Sequence, residues 1–354
     1  MNVAIAAAGT GGHVYPALAV AAALERQGVG RRDMVFLGGD RIEATAIPDA
    51  GYRFCGFELT KLRRSLSLEN LRIPFVVRRT AVAMAAELQR SRVGVMLGMV
   101  GYVTVPAALA ARRAGIPFVV HEQNSDPTLA ARFGARRARI TLLGLPGTAE
   151  RLPRSEVVGN PLRPDIAAFD RDALRAAARV RYGLPEKGPV VGILGGSLGA
   201  MALNRVAGEV VAAVGCPVLH LTGPDAHGIG DVTGASLPWI RVPFENRMHD
   251  FYAAVDLVIC RAGAMTVSEL AATATPAIFV PLDRVGQRAN ARVLVDAGGA
   301  TLVAQGDIGV LPDVAAGLIA DAAARSSMAA AASALARRDA ADVVAARVIE
   351  AAHG

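Results

Sequence analysis

Two glycine-rich turns, one in each half of the chain, place the strongest constraint on its fold. GTGGHVYP at residues 9–16 and GGSLGA at residues 195–200 each follow an apolar run and precede an alanine-rich run. A glycine-rich turn between a strand and a helix leaves backbone N–H groups at the positive end of the helix, where phosphate groups bind. The turns therefore predict two nucleotide-binding folds that face a cleft, and His13 adds a titratable side chain to the first turn.

Short apolar runs alternate with longer helix-like segments in both halves. The predicted strands occupy residues 3–8, 34–37, 93–97, 118–120, 140–143, 190–194, 218–221, 239–242, 257–260 and 277–280. Strands that are almost entirely apolar and alternate with helices indicate a parallel sheet covered on both faces. The predicted fold class is therefore α/β, with two Rossmann-like, doubly wound parallel-sheet domains. Ligands of such sheets bind beyond the carboxyl ends of the strands, where both glycine turns fall.

The join between the halves is marked by the prolines of VVGNPLRPD. A chain of 354 residues exceeds the usual size of one core, and we place the boundary near Arg163. The predicted domains are residues 1–162 and residues 163–354. The tail at residues 328–353 is helical by composition and can pack on either half, including a return to the N-terminal domain.

Composition restricts the classes of partner. The formal net charge of +7 fits anionic ligands such as nucleotides or acidic lipids. Aromatic residues make up only 5% of the chain, and zinc spacings, RNP-like patterns and long basic arms are missing, so we expect no nucleic-acid partner. Three widely spaced cysteines predict neither a disulfide framework nor a metal site. The sequence shows no signal-peptide pattern and no spanning apolar run, which predicts a cytoplasmic protein.

The second half has two segments suited to a nucleotide. Ser197 and the backbone of GGSLGA would hold a diphosphate, and Gly263, Ala264 and Met265 of CRAGAMTVSEL would present further N–H groups before a helix. Glu269 lies about one turn into that helix, where a carboxylate accepts hydrogen bonds from a ribose diol. The alternative is an acidic residue that only complements the helix dipole.

Polar side chains suited to sugar hydroxyls follow other predicted strands. One group is HEQN, and the second is a pair in the passage after residue 282. The residues are His121, Glu122, Gln123, Asn124, Gln287 and Asn290. The alternative for the HEQN group is a polar loop whose side chains cap local backbone groups.

A basic and apolar segment at residues 61–79 predicts a membrane-docking surface. Apolar side chains flanked by arginines bind an anionic membrane surface without spanning it. The residues assigned to this surface are Leu66, Leu71, Arg72, Ile73, Phe75, Arg78 and Arg79. The alternative is an ordinary amphipathic helix with a solvated basic face.

The strings GTGGHVYPALA, GYVTVP, HEQN, VGNPLR, GGSLGA, CRAGAMTVSELA and FVPL occur in this order over nearly the whole chain. Together they resemble the MurG family of bacterial peptidoglycan synthesis. The resemblance implies the GT-B glycosyltransferase fold, with an acceptor- and membrane-associating first domain and a UDP-GlcNAc-binding second domain. It implies neither a catalytic metal nor a cofactor.

The family reaction moves N-acetylglucosamine from UDP-GlcNAc to the C4 hydroxyl of undecaprenyl-pyrophosphoryl-MurNAc-pentapeptide, with inversion at the anomeric carbon. This converts lipid I to lipid II. The resemblance implies a peripheral protein at the cytoplasmic face of the bacterial inner membrane, with other enzymes of cell-wall synthesis as candidate partners.

The resemblance also implies roles for single residues. His13 is the candidate general base for the acceptor hydroxyl, with diphosphate binding as its competing role. Tyr102 is implied on the acceptor side. The UDP-GlcNAc site is implied to comprise Thr10, Gly11, Gly12, His13, Asn124, Arg163, Ser197, Leu198, Gly199, Phe244, Glu245, Ala264, Met265, Thr266, Glu269 and Gln287.

The chain departs from the family pattern at three places. Val100 stands where a glycine usually precedes Gly101, the segment at residues 282–287 is shortened, and Ala262 replaces a commoner serine. Three other functions compete with the family reaction: transfer to a soluble acceptor by another GT-B enzyme, UDP-sugar binding without catalysis, and a Rossmann oxidoreductase. The last is disfavoured because the first turn lacks GxGxxG.

Overall fold

The computed structural model describes residues 1–59, 73–196, 199–224, 226, 229, 237–282 and 286–353. Two compact units are present, one comprising Met1–Arg163 with Asp339–Gly354 and the other Pro164–Arg338. The division follows Arg163, and the last sixteen residues belong to the first unit.

The first unit is a parallel sheet with helices on both faces. Its described strands are β1 (Asn2–Ala6), β2 (Met34–Gly38), β3 (Arg53–Gly56), β4 (Val93–Met99), β5 (Phe118–Glu122), β6 (Ile140–Leu143) and β7 (Ser155–Val157). Its helices before the second unit are α1 (Gly11–Arg26), α2 (Glu43–Asp49), α3 (Ile73–Arg90), α4 (Thr104–Ala114) and α5 (Leu129–Ala135). The strand order is β3-β2-β1-β4-β5-β6-β7, so the chain reverses direction across the sheet beside β1.

Alternation along β1 builds two cores. Val3 and Ile5 are fully buried in a cluster with α1, whereas Ala4 and Ala6 belong to a second cluster with α3 and α4. Successive side chains of a strand point to opposite faces, so the apolar residues 3–6 of β1 supply both cores. In register, Ile5 pairs with Phe36 on one side and Leu97 on the other.

The second unit repeats the same winding with six described strands. They are β8 (Val191–Leu194), β9 (Val218–Leu221), β10 (Trp239–Val242), β11 (Leu257–Cys260), β12 (Ala277–Phe279) and β13 (Ala300–Leu302), in the order β10-β9-β8-β11-β12-β13. The helices are α6 (Pro164–Ala167), α7 (Arg171–Arg181), α8 (Met201–Val214), α9 (Met248–Ala254), α10 (Ala264–Ala272), α11 (Gln287–Val295), α12 (Leu311–Ala320) and α13 (Ala322–Ser333).

The helical tail is divided between the units. The helix α13 ends at Ser333, and the last helix, α14 (Ala340–His353), packs against α1 in the first unit. Val344 and Val348 of α14 are fully buried there. Asp342 accepts a hydrogen bond from Arg26 at 2.7 Å, and Arg347 pairs with Glu156 at 2.7 Å. The tail therefore anchors the last segment of the chain on the helix that carries His13.

Arg171 connects α9 to α10, the helix that carries predicted donor contacts. Its Nη1 donates to the carbonyl of Tyr252 in α9 at 2.6 Å, and its Nη2 donates to the carbonyl of Thr273 after α10 at 2.9 Å. Burial lowers the pKa of Arg171 to about 10, so the side chain stays charged at neutral pH. The C-terminal ends of α9 and α10 are thus held by one guanidinium, which favours a rigid pairing of these helices.

Candidate active site

His13 occupies the first turn of α1, directly beyond the carboxyl end of β1. The imidazole is partly exposed, and its Nδ1 lies 3.2 Å from the Thr10 hydroxyl. A Cβ added to Gly101, in the turn after β4, would lie 3.6 Å from Cδ2 of His13, so that turn packs against the imidazole. His13 therefore has the exposure and the fixed position that a base or a phosphate ligand needs.

Tyr102 covers the same turn. A Cβ added to Gly9 would lie 3.1 Å from Cε1 of the Tyr102 ring, and Gly9 has a φ of +115°. Glycine meets both requirements because it lacks a Cβ and tolerates positive φ. Burial, and then the negative charge of Glu43, raise the pKa of the half-buried Tyr102. The structure thus brings Tyr102 and the predicted residues of the first turn together.

Val100, the first departure from the family pattern, is a core residue. Its side chain is 2% exposed and packs in the cluster beneath α3 and α4. Its backbone N–H donates to the carbonyl of His121 at 3.1 Å. The substitution therefore adds an apolar side chain to the core, and the turn keeps Gly101 next to His13.

The prediction that four HEQN side chains meet a sugar is wrong for three of them. His121 is fully buried with Nε2 3.0 Å from the carbonyl of Gly159, and burial lowers its pKa to about 4. Gln123 is also buried and donates to the carbonyl of Gly12 at 2.7 Å. Glu122 accepts from the backbone and side chains of Asn124 and Thr128 at 2.9 to 3.3 Å.

These contacts build the loop that presents Asn124. Burial raises the pKa of Glu122, against the effect of its four hydrogen bonds. The Asn124 amide is partly exposed and is oriented by its 3.0 Å bond to Glu122. Of the HEQN group, Asn124 alone retains the partial exposure that a sugar contact needs, and its role stays a prediction.

In the second unit the glycine turn after β8 is closely packed. A Cβ on Gly199, whose φ is +72°, would lie 2.4 Å from the carbonyl oxygen of Thr222. Asn204 of α8 donates to that same carbonyl at 3.0 Å and its Oδ1 lies 3.0 Å from Nε2 of His220. Burial, together with the charge of Arg241, lowers the pKa of His220 to about 4, so the neutral ring donates through Nε2. Ser197 and Leu198 lie outside the described residues.

Glu269 is held by a buried tyrosine. Its Oε2 accepts a hydrogen bond of 2.8 Å from the hydroxyl of Tyr252, which is fully buried in α9. The carboxylate is partly exposed on α10, the helix whose first turn contains Ala264, Met265 and Thr266. The hydrogen bond from Tyr252 thereby orients the carboxylate, and its contact with a ribose stays a prediction.

Phe244 and Glu245 follow β10 and differ in environment. Phe244 is 52% exposed. The Glu245 carboxylate is buried and accepts hydrogen bonds from Tyr182 at 2.6 Å and from Arg181 at 3.0 Å. Burial opposes ionisation of Glu245, but these contacts and the Arg247 N–H hold its pKa below the usual value. The side chain of Glu245 therefore links its turn to the end of α7. A contact between Glu245 and a nucleotide base would be made by its backbone.

Gln287, the first residue of α11, hydrogen-bonds to the start of the shortened segment. Gln287 is partly exposed and its Oε1 accepts from the Leu282 N–H at 3.0 Å. The prediction that Asn290 meets a sugar is wrong, because its side chain is fully buried and donates to the carbonyl of Ala262 at 3.2 Å. Ala262, the third departure, is itself fully buried. Arg163 is partly exposed at the end of the first unit.

The described part of the predicted membrane segment forms the start of α3. Phe75 is 76% exposed, Ile73 is partly buried, and Arg78 and Arg79 are exposed, with Arg79 paired to Glu58. Leu66, Leu71 and Arg72 lie outside the described residues. None of the helices in the described ranges is long and apolar enough to cross a membrane.

Two residues important for the site escaped the sequence analysis. Tyr252 orients Glu269, and Glu43 binds two backbone N–H groups of separate turns in the first unit. Among the described residues, no group of three or more His, Cys, Asp or Glu side chains could hold a metal ion.

The two parallel-sheet α/β units, with seven and six described strands, match the GT-B class of glycosyltransferases. Residues 3–142 match the Glycosyltransferase family 28 N-terminal domain, and residues 190–344 match the Glycosyltransferase family 28 C-terminal domain. The chain belongs to glycosyltransferase family 28 and, within it, to the MurG family.

Near-full-length relatives carry one name. The chain is 42% identical to the UDP-N-acetylglucosamine–N-acetylmuramyl-(pentapeptide) pyrophosphoryl-undecaprenol N-acetylglucosamine transferase of Nocardioides sp. (strain ATCC BAA-499 / JS614), over 99% of this chain and 98% of the relative. The same-named protein of Acidothermus cellulolyticus is 39% identical over 96% of this chain and 95% of the relative.

Solved structures agree with the fold. The crystal structure of Acinetobacter baumannii MurG is 28% identical, covers 99% of both chains and gives a TM-score of 0.77. The glycosyltransferase of kitacinnamycin, at 15% identity and a TM-score of 0.73 over 99% of this chain and 98% of its own, shares the fold.

Proposed function

We propose that the protein transfers N-acetylglucosamine from UDP-GlcNAc to the C4 hydroxyl of undecaprenyl-pyrophosphoryl-MurNAc-pentapeptide, converting lipid I to lipid II in peptidoglycan synthesis. The observation that carries the proposal is identity of 39% to 42%, over at least 95% of both chains, to relatives named for this transfer. The positions of His13 and Glu269, on the helices that follow β1 and β11, support it.

On the donor side, the second unit binds UDP-GlcNAc. The Gly199 turn, with Ser197 and Leu198, and the N-terminus of α10 hold the diphosphate, since both precede helices with N–H groups directed outward. Arg163 adds a positive charge. Glu269 binds the ribose diol, the backbone near Phe244 meets the uracil, and Gln287 and Asn124 contact the sugar hydroxyls. Helix ends and Arg163 stabilise the negative charge that develops on the departing UDP.

On the acceptor side, His13 acts as the general base. As the C4 oxygen attacks the anomeric carbon, His13 takes the hydroxyl proton. The new C–O bond forms opposite UDP, and the bond from the anomeric carbon to the β-phosphate oxygen breaks with its electron pair on UDP. The result is inversion. The competing role, a diphosphate contact, uses the same imidazole in its charged form.

A transfer assay with chemically defined substrates tests the activity. We expect a disaccharide-lipid product from UDP-GlcNAc and a lipid I analogue in the presence of EDTA, and a far slower reaction with the same muramyl pentapeptide lacking the lipid. UDP binding is measured in parallel by calorimetry. Tight UDP binding without product would contradict the transferase proposal and favour a UDP-sugar-binding protein, whereas equal rates on both acceptors would favour a soluble acceptor.

We further propose that the protein binds an anionic membrane surface at the cytoplasmic face of the inner membrane through the start of α3. Phe75 supplies exposed apolar area there, and Arg78 supplies exposed positive charge, together with Arg79 beside its partner Glu58. An apolar side chain inserts at the headgroup boundary while arginines attract acidic lipids, so a peripheral contact needs no spanning helix. Docking through the start of α3 would bring the first unit to the membrane leaflet that holds a lipid-linked acceptor.

Replacing Phe75 and Val76 with serine is expected to reduce binding to phosphatidylglycerol vesicles by about tenfold, because apolar area is lost. Added salt should weaken the binding that remains, since the arginines then act alone. Co-sedimentation measures both effects. The matched control is Val180→Ser, which removes an exposed apolar side chain from α7. Equal binding by the double variant and the wild type would refute this docking surface.

A further inference from the structure

Glu43, at the start of α2, joins two turns of the first unit. Its Oε2 accepts a hydrogen bond from the N–H of Gly9, before α1, and its Oε1 accepts one from the N–H of Gly39, after β2, both at 3.1 Å. The side chain is fully buried. Both carboxylate oxygens act as acceptors of backbone donors, which is the arrangement of an ionised carboxylate.

The surrounding glycines leave little room for any other arrangement. A Cβ on Gly38 would lie 2.7 Å from the carbonyl oxygen of Ala7, and a Cβ on Gly39 would lie 3.0 Å from Oε1 of Glu43. The same added Cβ on Gly39 would lie 3.5 Å from the Tyr102 hydroxyl. Glu43 and Tyr102 therefore pack around the turn that leads into His13, and a displaced carboxylate would displace that turn.

The charge of Glu43 is not neutralised by an ion pair in the part of the chain that the structure describes. The charge of Glu43 raises the pKa of Tyr102, from the turn after β4, and the exposed Asp40 and Arg41 of the preceding loop act on Tyr102 with opposite signs. Backbone dipoles thus hold a buried negative charge beside the β1–α1 turn. Charge in such surroundings acts over several ångströms with little screening.

We infer that Glu43 is a positioning residue of the transfer, which fixes the β1–α1 turn and stabilises the positive charge that His13 acquires as it takes the acceptor proton. The inference rests on the proposed function. The same contact favours one of the two roles of His13. Glu43 accepts the hydrogen bond of the Gly9 N–H, and its negative charge repels an anion bound at this turn. The turn is thereby suited to a base more than to a diphosphate.

Histidine NMR tests the charge effect without any catalytic turnover. We expect the pKa of His13 to be lower in Glu43→Gln than in the wild type, by about half a unit to one unit, because a nearby negative charge favours the imidazolium. The signal of His13 among the six histidines is assigned by its loss in His13→Gln. Glu87→Gln, which removes another buried carboxylate of this unit, is the control and should leave the His13 titration unchanged.

Kinetics test the positioning effect. Glu43→Asp keeps the charge but is one methylene too short to reach both N–H groups, so kcat should fall at least tenfold while the pKa of His13 stays near that of the wild type. Glu43→Gln should lower kcat and move the acid limb of its pH profile to lower pH. The KM for UDP-GlcNAc should change less than threefold in both variants.

Two results would overturn the inference: a His13 titration that is identical in Glu43→Gln and the wild type, or kcat within twofold of the wild type in Glu43→Asp. If Glu43→Gln fails to fold, Glu43→Asp decides. A wild-type protein that makes no disaccharide product would instead refute the proposed function, and the NMR titration would still report on Glu43.

Discussion

Replacing His13 with alanine is expected to lower kcat for sugar transfer by about 10²-fold to 10⁴-fold, the usual contribution of a general base. The imidazole is partly exposed in the first turn of α1 and is held by the Thr10 hydroxyl and by the turn at Gly101. Without it, the acceptor hydroxyl loses its proton to water. Steady-state rates at saturating concentrations of both substrates measure the effect, and the KM for UDP-GlcNAc should change less than threefold.

His353→Ala is the matched control, since this histidine is exposed near the end of α14 and should leave kcat within twofold of the wild type. If His13→Ala leaves kcat unchanged and raises only the KM of the lipid acceptor, His13 is a binding residue and not the base.

The pH profile separates the same two roles. A base must be unprotonated, so wild-type kcat should fall as the pH drops through the pKa of His13, and the residual rate of His13→Ala should lack this limb. A diphosphate contact requires the imidazolium, so binding of the acceptor would instead weaken as the pH rises. Initial rates between pH 5 and 9 distinguish these outcomes.

The inner strands of both sheets were predictable from sequence because they are apolar on both faces. All ten predicted strands are present, whereas β3, β7 and β13 were missed. Each of these three lies at a sheet edge, has only three or four residues and is partly exposed. An edge strand needs no continuous apolar run, so the sequences of these three resemble those of loops, whereas the edge strand β10 has three apolar residues in four and was predicted. The break between α13 and α14 was missed because alanine favours helix on both sides of it.

The site was predictable where backbone geometry dictates residue type, as in the glycine turns. It was not predictable where a polar side chain follows a strand, because the pattern does not reveal whether its partner is a ligand or the protein itself. His121 and Gln123 bind carbonyls of Gly159 and Gly12, which are distant in sequence. Glu43 was missed for the same reason, since Gly9 is 34 positions away.

Gly199→Ala is expected to weaken UDP binding by about 10²-fold, the loss of about two hydrogen bonds to a charged group. Gly199 has a φ of +72°, and an added Cβ would lie 2.4 Å from the carbonyl oxygen of Thr222. Asn204 holds that carbonyl, and His220 holds Asn204. The added Cβ therefore displaces the Gly199 turn and leaves Thr222 in place. A displaced turn no longer directs its N–H groups at the diphosphate. Calorimetric titration with UDP measures the loss.

Gly215→Ala provides a closely matched control because it lies at the other end of the same helix, α8, and also has a positive φ, +58°, but has open space around it. Both variants carry the cost of about 1 kcal/mol for a left-handed alanine, and Gly199→Ala adds the cost of its contact with the Thr222 carbonyl, so it should unfold at the lower temperature of the two. Only Gly199→Ala displaces the turn. A difference in UDP affinity between the two variants therefore measures the contribution of the turn to donor binding, and affinities within threefold of each other would exclude the Gly199 turn as the diphosphate site.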